Sequence, residues 1–566
     1  MASAEDPEDN ELSRYDHTHD FKRSQDTPIS WLPAEIIAHI FTYCVPSKSP
    51  SSFMHGLKWL SITQVCRRWR YIALEHTVLW TCIMLRNPEL VDTMLERLKA
   101  FPLSVFSTWV SNSTTSRWDG PFEKLQQQLS RIRDLQLHAF RGLVPCEELI
   151  RKLTVPAPSL RSLEITSDHP LDLPVELFAG DAPLLTRLRL DSAYLPWTSP
   201  LLANLTQITL WGDEATTNTP TSRQLLDALR SMPLLEELDF AYIFPNDFEH
   251  TGTMIPIPRL RKLSIVGNVG GCEGLLSNIS FPENTVVDLD CWLEIEDVDP
   301  FYSFILHFPR IFLEDSSTKN VNAQVERRRI AKTLLIDLRE DHNGTLYLTL
   351  KAWNEDVIPI DAFEPFDFNA TLPVPLISLT FHWDRDQAQP DVEEDIESIF
   401  TSLPAGSVQT LHIKESSDND TNDSHALTRY LGALPFNSNS VQTLVIVGFS
   451  LCARLIQVLT MLSQVHSSVS PGTSFPALDT LVILSGSALR WIHPFTHEPS
   501  VEMNQMLDML THRLQHGKRI EVLMARDCEV VGTHLDHLLK GVIGELRGLP
   551  ECDEPPPSRV DRSRVA

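Results

Sequence analysis

The sequence predicts an α/β fold in which a small N-terminal helical module precedes an irregular α/β solenoid. Short amphipathic helical patterns within residues 27–85 predict the module. Copies of one apolar phrase recur between residues 132 and 525, with helical patterns between them, and these predict the solenoid. At 566 residues the chain exceeds one ordinary core, so we expect several domains or an elongated repeat domain.

Two patterns predict the helices of the N-terminal module. Pro33 suits the first position of a helix, where an N–H is not needed, and Ile36, Ile37, Ile40 and Phe41 follow on one face. A second pattern places apolar residues at i, i+4, i+7 and i+8: Val65, Trp69, Ile72 and Ala73. A module of roughly sixty residues is marginally stable alone. Its apolar faces exceed what it can bury, so we expect a partner surface to cover it.

The recurring phrase has the form L-x-x-L-x-L, in which each L is Leu, Ile, Val or Phe. Strict copies are PSLRSLEI (158–165), PLLTRLRL (183–190), PLLEELDF (233–240), PRLRKLSI (258–265) and PALDTLVI (476–483). Looser copies begin at residues 132, 205, 376, 408, 441 and 520. Alternating apolar residues in x-L-x-L predict a short strand with one face in the core.

The spacing of the phrase predicts the repeat type. A proline lies two residues before the first leucine of each strict copy, at Pro158, Pro183, Pro233, Pro258 and Pro476, where it favours a turn into the strand. Helical stretches between the phrases include TSRQLLDALRSM, EEDIESIFTSL, HALTRYLGAL and ARLIQVLTMLSQ. Spacings of 20–30 residues, lengthening to 32–42, are typical of leucine-rich repeats with longer return segments. The alternative is an ordinary α/β sheet.

The repeat register is lost between residues 285 and 370. VVDLD, LLIDL and TLYLTLKAW have the character of strands, whereas SFILHFPRIF and the acidic run at 361–367 do not fit. We expect degenerate repeats with insertions there. The predicted domains are a disordered acidic tail (1–26), the helical module (27–85), a helical linker (86–125), the leucine-rich-repeat-like solenoid (126–549) and a disordered tail (550–566).

Composition and charge limit the classes of partner and the cellular location that we expect for the protein. A formal net charge of −27 disfavours nucleic acid and anionic lipid, so we expect neither as a partner. No apolar run is long enough for a membrane span, and the acidic N-terminus lacks the apolar segment of a secretory signal. Nine cysteines without a C-x-x-C pair are typical of reduced thiols. We therefore expect a cytoplasmic or nuclear protein.

Motifs for catalysis or metal binding are absent from the sequence. There is no G-x-S-x-G, P-loop or H-E-x-x-H, and GNVGGCEG at 267–274 misses the phosphate-loop spacing, so we interpret it as a turn. His512 and His516 lack a neighbouring acid or cysteine at ligand spacing and are interpreted as surface residues. Cys66 is interpreted as a packed thiol. No catalytic residue, metal or cofactor is assigned, although an enzyme site within 285–370 stays an alternative.

The N-terminal module resembles an F-box. Its motifs are Leu32-Pro33-x-Glu35-Ile36-Ile37-x-x-Ile40-Phe41, then Val65-Cys66-Arg67-x-Trp69, then Leu79-Trp80. The long loop at 46–57, with LERLKAFPLSV (95–105) and GKRIEVLMARDC (517–528), resembles F-box-like proteins of mushroom-forming fungi. The F-box resemblance covers about a tenth of the chain, and the less regular repeat resemblance covers most of the rest.

The resemblance implies a substrate-recognition adaptor of a Skp–cullin–F-box ubiquitin ligase. The F-box would dock on a Skp-type adaptor, held by a cullin–RING scaffold, through Leu32, Pro33, Ile36, Ile37, Ile40, Val65, Cys66 and Trp69. The solenoid would bind an unknown protein target. Residues beside the core leucines face away from the core and are candidate target contacts: Glu164, Arg187, Arg189, Glu237, Asp239 and Lys262. A non-degradative scaffold without cullin is the alternative.

Overall fold

A computed structural model describes most of the chain. The described residues are 28–44, 58–85, 87–98, 101–107, 118–140, 146–213, 219–245, 248, 254–293, 298–308, 311, 331–341, 343–356, 373–383, 392–403, 407–417, 440–447, 475–484, 501–526 and 539–547. The predicted tails, 1–26 and 550–566, lie outside them. The chain divides into two compact units, Met1–Leu201 and Leu202–Ala566.

The first unit begins with short helices. They are α1 (Ala34–Thr42), α2 (Ile62–Val65) and α3 (Arg67–Glu75), with 3-10 turns at Pro28–Trp31, Lys58–Ser61 and Thr77–Trp80. Pro33 is the N-cap residue of α1, one position before the first helical position that the sequence predicts for it. Cys66 caps α3, because its Sγ accepts a hydrogen bond from the Trp69 backbone N–H at 3.4 Å. The thiol therefore replaces the hydroxyl or carboxylate that usually satisfies this group.

The helices of the first unit share a small core. Ile37 and Phe41 of α1 are 1% and 2% exposed, and the Phe41 ring meets the Trp69 ring edge-on at 5.1 Å. Trp80 packs edge-on against a neighbouring indole and donates its Nε1–H to the Ala73 carbonyl oxygen at 3.0 Å. Because the buried indole N–H has a partner, its burial carries no desolvation penalty.

A parallel sheet follows these helices in the first unit. Its strands pair in chain order: β1 (Cys82–Leu85), β2 (Leu103–Ser107), β3 (Ile132–Ala139), β4 (Ser162–Asp172) and β5 (Arg187–Tyr194). The helices α4 (Pro88–Arg97), α5 (Asp119–Gln127) and α6 (Cys146–Lys152) lie in the connections. The prediction of a helical linker at 86–125 misses β2, whose alternating apolar residues pair on both sides. The sheet therefore begins earlier in the chain than the repeat pattern indicates.

The second unit is also rich in parallel strands. Its strands are β6 (Gln207–Trp211), β7 (Glu237–Ala241), β8 (Ile255–Pro256), β9 (Lys262–Asn268), β10 (Ile279–Ser280), β11 (Val286–Leu293), β12 (Thr333–Glu340), β13 (Leu346–Trp353), β14 (Ile377–Trp383), β15 (Thr410–Ser417), β16 (Thr443–Val447), β17 (Thr480–Leu484), β18 (Val522–Arg526) and β19 (Glu545–Arg547). Its helices are α7 (Ser222–Arg230), α8 (Val269–Asn278), α9 (Val298–Ile305), α10 (Val392–Ser402) and α11 (Val501–Gln515). β8 and β10 pair separately from the main sheet.

Every copy of the apolar phrase contains a strand. The copies correspond to β3 to β7, β9 and β14 to β18, and most of the alternating apolar residues of the phrase are buried, although Leu210 of β6 is half-buried. Two of the predicted helical stretches are α7 and α10. The other two, HALTRYLGAL at 425–434 and ARLIQVLTMLSQ at 453–464, lie outside the described residues. The strand predictions are confirmed, because period-two burial is a local property of the chain.

The region of lost register contains an inserted hairpin. VVDLD, LLIDL and TLYLTLKAW are β11, β12 and β13, as their sequences indicate. The sheet order is β9–β11–β14–β13–β12–β15, and β13 runs antiparallel to both of its neighbours. The chain therefore leaves β11 for β12, returns through β13 and only then forms β14 beside β11. The acidic run at 361–367 lies outside the described residues.

The glycine-rich segment at 267–274 is not a turn, so that interpretation is wrong. The helix α8 begins at Val269, and the Asn268 side chain caps it by accepting the Gly271 N–H at 2.9 Å. A Cβ at Gly271 would lie 2.5 Å from the Cβ of Phe244, and one at Gly274 would lie 2.2 Å from the Phe248 ring. The glycines therefore allow close approach of phenylalanine side chains to the helix.

Candidate functional site: an exposed apolar helix face

Helix α1 is apolar on two sides. Ile37 and Phe41 face the core, while Ile36, Ile40 and Tyr43 follow at i, i+4 and i+7 on an adjacent face. The exposed fractions of these three side chains are 47%, 41% and 78%. An ordinary surface helix turns polar residues outward. The second apolar face, which we call the α1 stripe (Ile36, Ile40 and Tyr43), is suited to contact with another protein.

Further exposed apolar side chains lie in the same module. They are Ile29, Trp31, Val65, Tyr71 and Val78. Together with the α1 stripe they make eight of the seventeen large apolar side chains that are exposed within the described residues. Scattered exposed apolar residues are normal on soluble proteins, but such enrichment in one small module is typical of an interaction surface.

The predicted docking residues fall into three groups. Pro33, Ile36, Ile40 and Val65 are exposed, and Leu32, Cys66 and Trp69 are half-buried. Ile37 is buried in the core, so its side chain is not available to a partner. The motif pattern does not separate Ile37 from Ile36, because both fall within the broad apolar arc of the helix.

Two arginines of α3 hydrogen-bond to backbone carbonyl oxygens of neighbouring segments of the module. The Arg68 Nη2 donates a hydrogen bond to the Leu32 carbonyl oxygen at 2.5 Å, and the Arg70 Nε donates to the Thr63 carbonyl oxygen at 2.8 Å. Charge-assisted hydrogen bonds of this kind are stronger than those between neutral groups. The Arg68 bond holds the start of α1, and with it the α1 stripe, against α3, and the Arg70 bond holds α2 against α3.

Comparison with known proteins assigns this module. A family model described as F-box-like matches residues 29–86. Residues 29–86 are an F-box-like domain. The match includes α1 to α3 and β1, and thus the α1 stripe and Val65. An F-box-like domain is a protein-interaction domain and generally belongs to non-catalytic adaptor subunits, which agrees with the exposed apolar face. No curated protein matches the chain significantly.

The predicted target contacts of the first unit lie together on one face of its sheet. Glu164 and Arg189 are direct cross-strand partners, with Arg189 Nε 3.8 Å from Glu164 Oε1, and Arg187 Nη2 lies 3.5 Å from Asp134 Oδ1. Gln136 Nε2 donates to Glu164 Oε1 at 3.1 Å. Burial raises the pKa of Glu164, and the nearby Arg189 opposes part of that shift. The charged side chains of this set are therefore paired with carboxylates or arginines of the same sheet.

The predicted target contacts of the second unit lie on two neighbouring strands. Glu237 and Lys262 are exposed direct cross-strand partners on β7 and β9, and Asp239 is half-buried. The Trp211 Nε1–H donates to Asp239 Oδ1 at 3.2 Å. All three face away from the buried leucines of their strands. The structure thus places this set on the face that the sequence predicts.

A Ser–His–Glu cluster is the nearest approach to a catalytic set among the described residues. The Ser277 Oγ donates to Glu273 Oε1 at 2.6 Å and lies 3.1 Å from His307 Nε2, which is itself 3.6 Å from the same carboxylate oxygen. In a nucleophile–base–acid triad the serine and carboxylate bind opposite ring nitrogens of the histidine. Here both lie at one nitrogen. The arrangement instead joins α8 to the segment that follows α9.

Metal and membrane sites receive no support within the described residues. No group of three His, Cys, Asp or Glu side chains there is arranged to hold a metal ion. No described helix combines the length and apolar character needed to cross a bilayer. The rings of His512, in α11, and His516, the residue after α11, lie 4.2 Å apart, and His516 is exposed.

Proposed function

We propose that this protein is a substrate-recognition adaptor of a Skp–cullin–F-box ubiquitin ligase in the cytoplasm or nucleus. The observation that carries the proposal is the α1 stripe within an F-box-like domain. The domain docks on a Skp-type adaptor through the α1 stripe, Val65 and the neighbouring exposed side chains. Burying these apolar surfaces supplies the free energy of association.

The sheets supply the target-binding part of this proposal. Within each unit, the copies of the apolar phrase form strands that pair in parallel with neighbours in chain order. The exception is the inserted hairpin, where β14 pairs antiparallel with β13 and β15 pairs in parallel with β12. This arrangement supports a leucine-rich-repeat-like α/β solenoid, in which one strand face packs on the helices and the other receives a protein. The chain then contributes by proximity: it holds a target lysine beside a charged ubiquitin-conjugating enzyme.

A pair of valine substitutions tests the docking step. Val65, in the F-box-like domain, is 60% exposed, and Val175, outside it, is 78% exposed. Val65→Asp places a carboxylate in the apolar contact and weakens binding of a recombinant Skp-type adaptor by at least about tenfold. Val175→Asp leaves binding unchanged. Calorimetry on the full-length chain measures both, with circular dichroism to show that each variant is folded.

Two outcomes count against the proposal. A folded wild-type chain that does not bind the Skp-type adaptor refutes the docking role itself. An adaptor complex that binds but recruits no cullin supports the scaffold function in place of the ligase function.

A further inference from the structure

The inserted hairpin brings four large side chains into a line on the face opposite the core. Trp292 on β11 is the direct cross-strand partner of His382 on β14. His382 is in turn opposite Tyr347 on β13, and Tyr347 is opposite Arg339 on β12. Directly opposite side chains lie about 5 Å apart at Cβ. These four side chains therefore lie in a line across four strands, about 14 Å long at the usual strand spacing.

Ring contacts join the members of this row. The His382 and Tyr347 rings are 4.5 Å apart, and the Arg339 guanidinium lies 4.9 Å from the centre of the Tyr347 ring. At the other end, the Tyr242 ring stacks on Trp292 at 5.1 Å and 25°. We call Tyr242, Trp292, His382 and Tyr347 the aromatic row. All four are half-buried, so part of each ring faces solvent.

The aromatic row lies on a mostly polar face. Many neighbouring positions that face the same way are short and polar, namely Ser264, Ser378, Thr349 and Thr380, whereas Val266 on β9 is apolar and Lys351 on β13 is cationic. Aromatic side chains with exposed rings amid such residues are typical of binding sites, since they offer large contact area at small entropic cost. Structural stacking alone does not require them to line up across four strands.

Carboxylates border the aromatic row. Asp290 Oδ1 lies within ion-pair distance of His382 Nε2, and Asp288, two residues earlier on β11, is exposed. The direct cross-strand partners of Asp288 are the uncharged Ser264 and Ser378. Aromatic faces beside carboxylates attract guanidinium and ammonium groups, through cation–π contact and charge-assisted hydrogen bonds. The chain's net charge of −27 also favours a positively charged ligand.

We propose that the aromatic row binds an extended, arginine- or lysine-rich segment of the target protein. The inference rests on the proposed function, because it names the chemistry of the target that the adaptor selects. From Tyr242 to Tyr347 the aromatic row spans roughly 20 Å, which accommodates about six extended residues. Cationic side chains lie over the Trp292 and Tyr242 faces and reach the carboxylates of Asp288 and Asp290.

Peptide binding to the full-length chain tests this inference. The probe is a fluorescein-labelled ten-residue peptide of alternating arginine and serine, followed by fluorescence anisotropy at physiological salt. Trp292→Ala removes the largest ring of the row and weakens binding about tenfold. Asp288→Asn, which preserves shape, weakens it about threefold. Tyr302→Ala removes an exposed ring outside the row, 40% exposed, and leaves binding unchanged.

Comparison of the variants separates a specific site from general attraction between opposite charges. Equal binding by wild type, Trp292→Ala and Asp288→Asn, each folded by circular dichroism, overturns the inference. Tighter binding of cellohexaose, a neutral sugar, than of the peptide overturns the cationic assignment. Binding of the Skp-type adaptor is measured in parallel and stays unchanged in the row variants. A chain that binds the peptide but no adaptor refutes the proposed function and leaves the chemistry of the row intact.

Discussion

Truncation of two isoleucines of α1, three residues apart, is expected to affect stability in one order and adaptor binding in the reverse order. Ile37 is 1% exposed and Ile40 is 41% exposed. Alanine removes three carbon groups from each, and a buried group contributes about 0.8 kcal/mol. Ile37→Ala therefore costs about 2.4 kcal/mol in transfer free energy and, with the cavity that remains, about 3–4 kcal/mol of local stability. Ile40→Ala costs about 1.4 kcal/mol, because only its buried part contributes and solvent fills the space.

Adaptor binding should show the reverse order. The exposed 41% of Ile40 is what a partner covers, so its truncation removes about 1 kcal/mol of binding free energy, or about fivefold in affinity. Ile37→Ala removes no surface that a partner touches and leaves the affinity of the folded domain close to that of wild type.

Hydrogen exchange and calorimetry measure the two effects separately. Exchange of the α1 amides, followed by mass spectrometry on the full-length chain, reports the local opening free energy without assuming two-state unfolding. Calorimetry with a recombinant Skp-type adaptor reports affinity. Equal loss of protection in both variants, or wild-type affinity in Ile40→Ala, would refute the division of α1 into a core face and a docking face.

Two further predictions concern stability. Gly274→Ala places a methyl group 2.2 Å from the Phe248 ring and lowers stability by about 1–3 kcal/mol, which thermal unfolding measures against wild type. Burial raises the pKa of Glu164, so the folded state binds its proton more tightly than the unfolded state, and this contribution is present below pH 4.5 and lost as pH rises through the folded pKa. Glu164→Gln therefore raises the melting temperature at pH 7 and matches wild type near pH 4; a lower melting temperature at pH 7 would contradict this sign.

Local patterns determined much of the strand and helix content. The alternation in L-x-x-L-x-L predicted β3 to β7, β9 and β14 to β18, and VVDLD, LLIDL and TLYLTLKAW were identified as strands where the repeat register was lost. Helical spacing and the F-box motifs predicted α1 and α3 and pointed to a module that leaves apolar surface uncovered. Such signals succeed because burial on one side of a strand or helix imposes a short period on the sequence.

Features that depend on packing between distant segments were not readable in this way. Helical spacing placed Ile36, Ile37 and Ile40 in one apolar arc, and only the packing against α3 and the turns decided that Ile37 is core and the others are exposed. Likewise, GNVGGCEG has the composition of a turn. Most of it is nevertheless the start of a helix, and phenylalanine side chains from elsewhere in the chain occupy the space that its glycines leave.

The amino-acid sequence by itself determined that this chain has an F-box-like helical domain followed by many strands with one apolar face. The tertiary structure alone decided that the β12–β13 hairpin inserts between β14 and β15, and therefore that Trp292, His382, Tyr347 and Arg339 stand in one row. Trp292 and His382 lie 90 positions apart in the chain. Periodicity specifies which side of a strand is buried, but the choice of neighbouring strand depends on contacts between residues far apart in the chain.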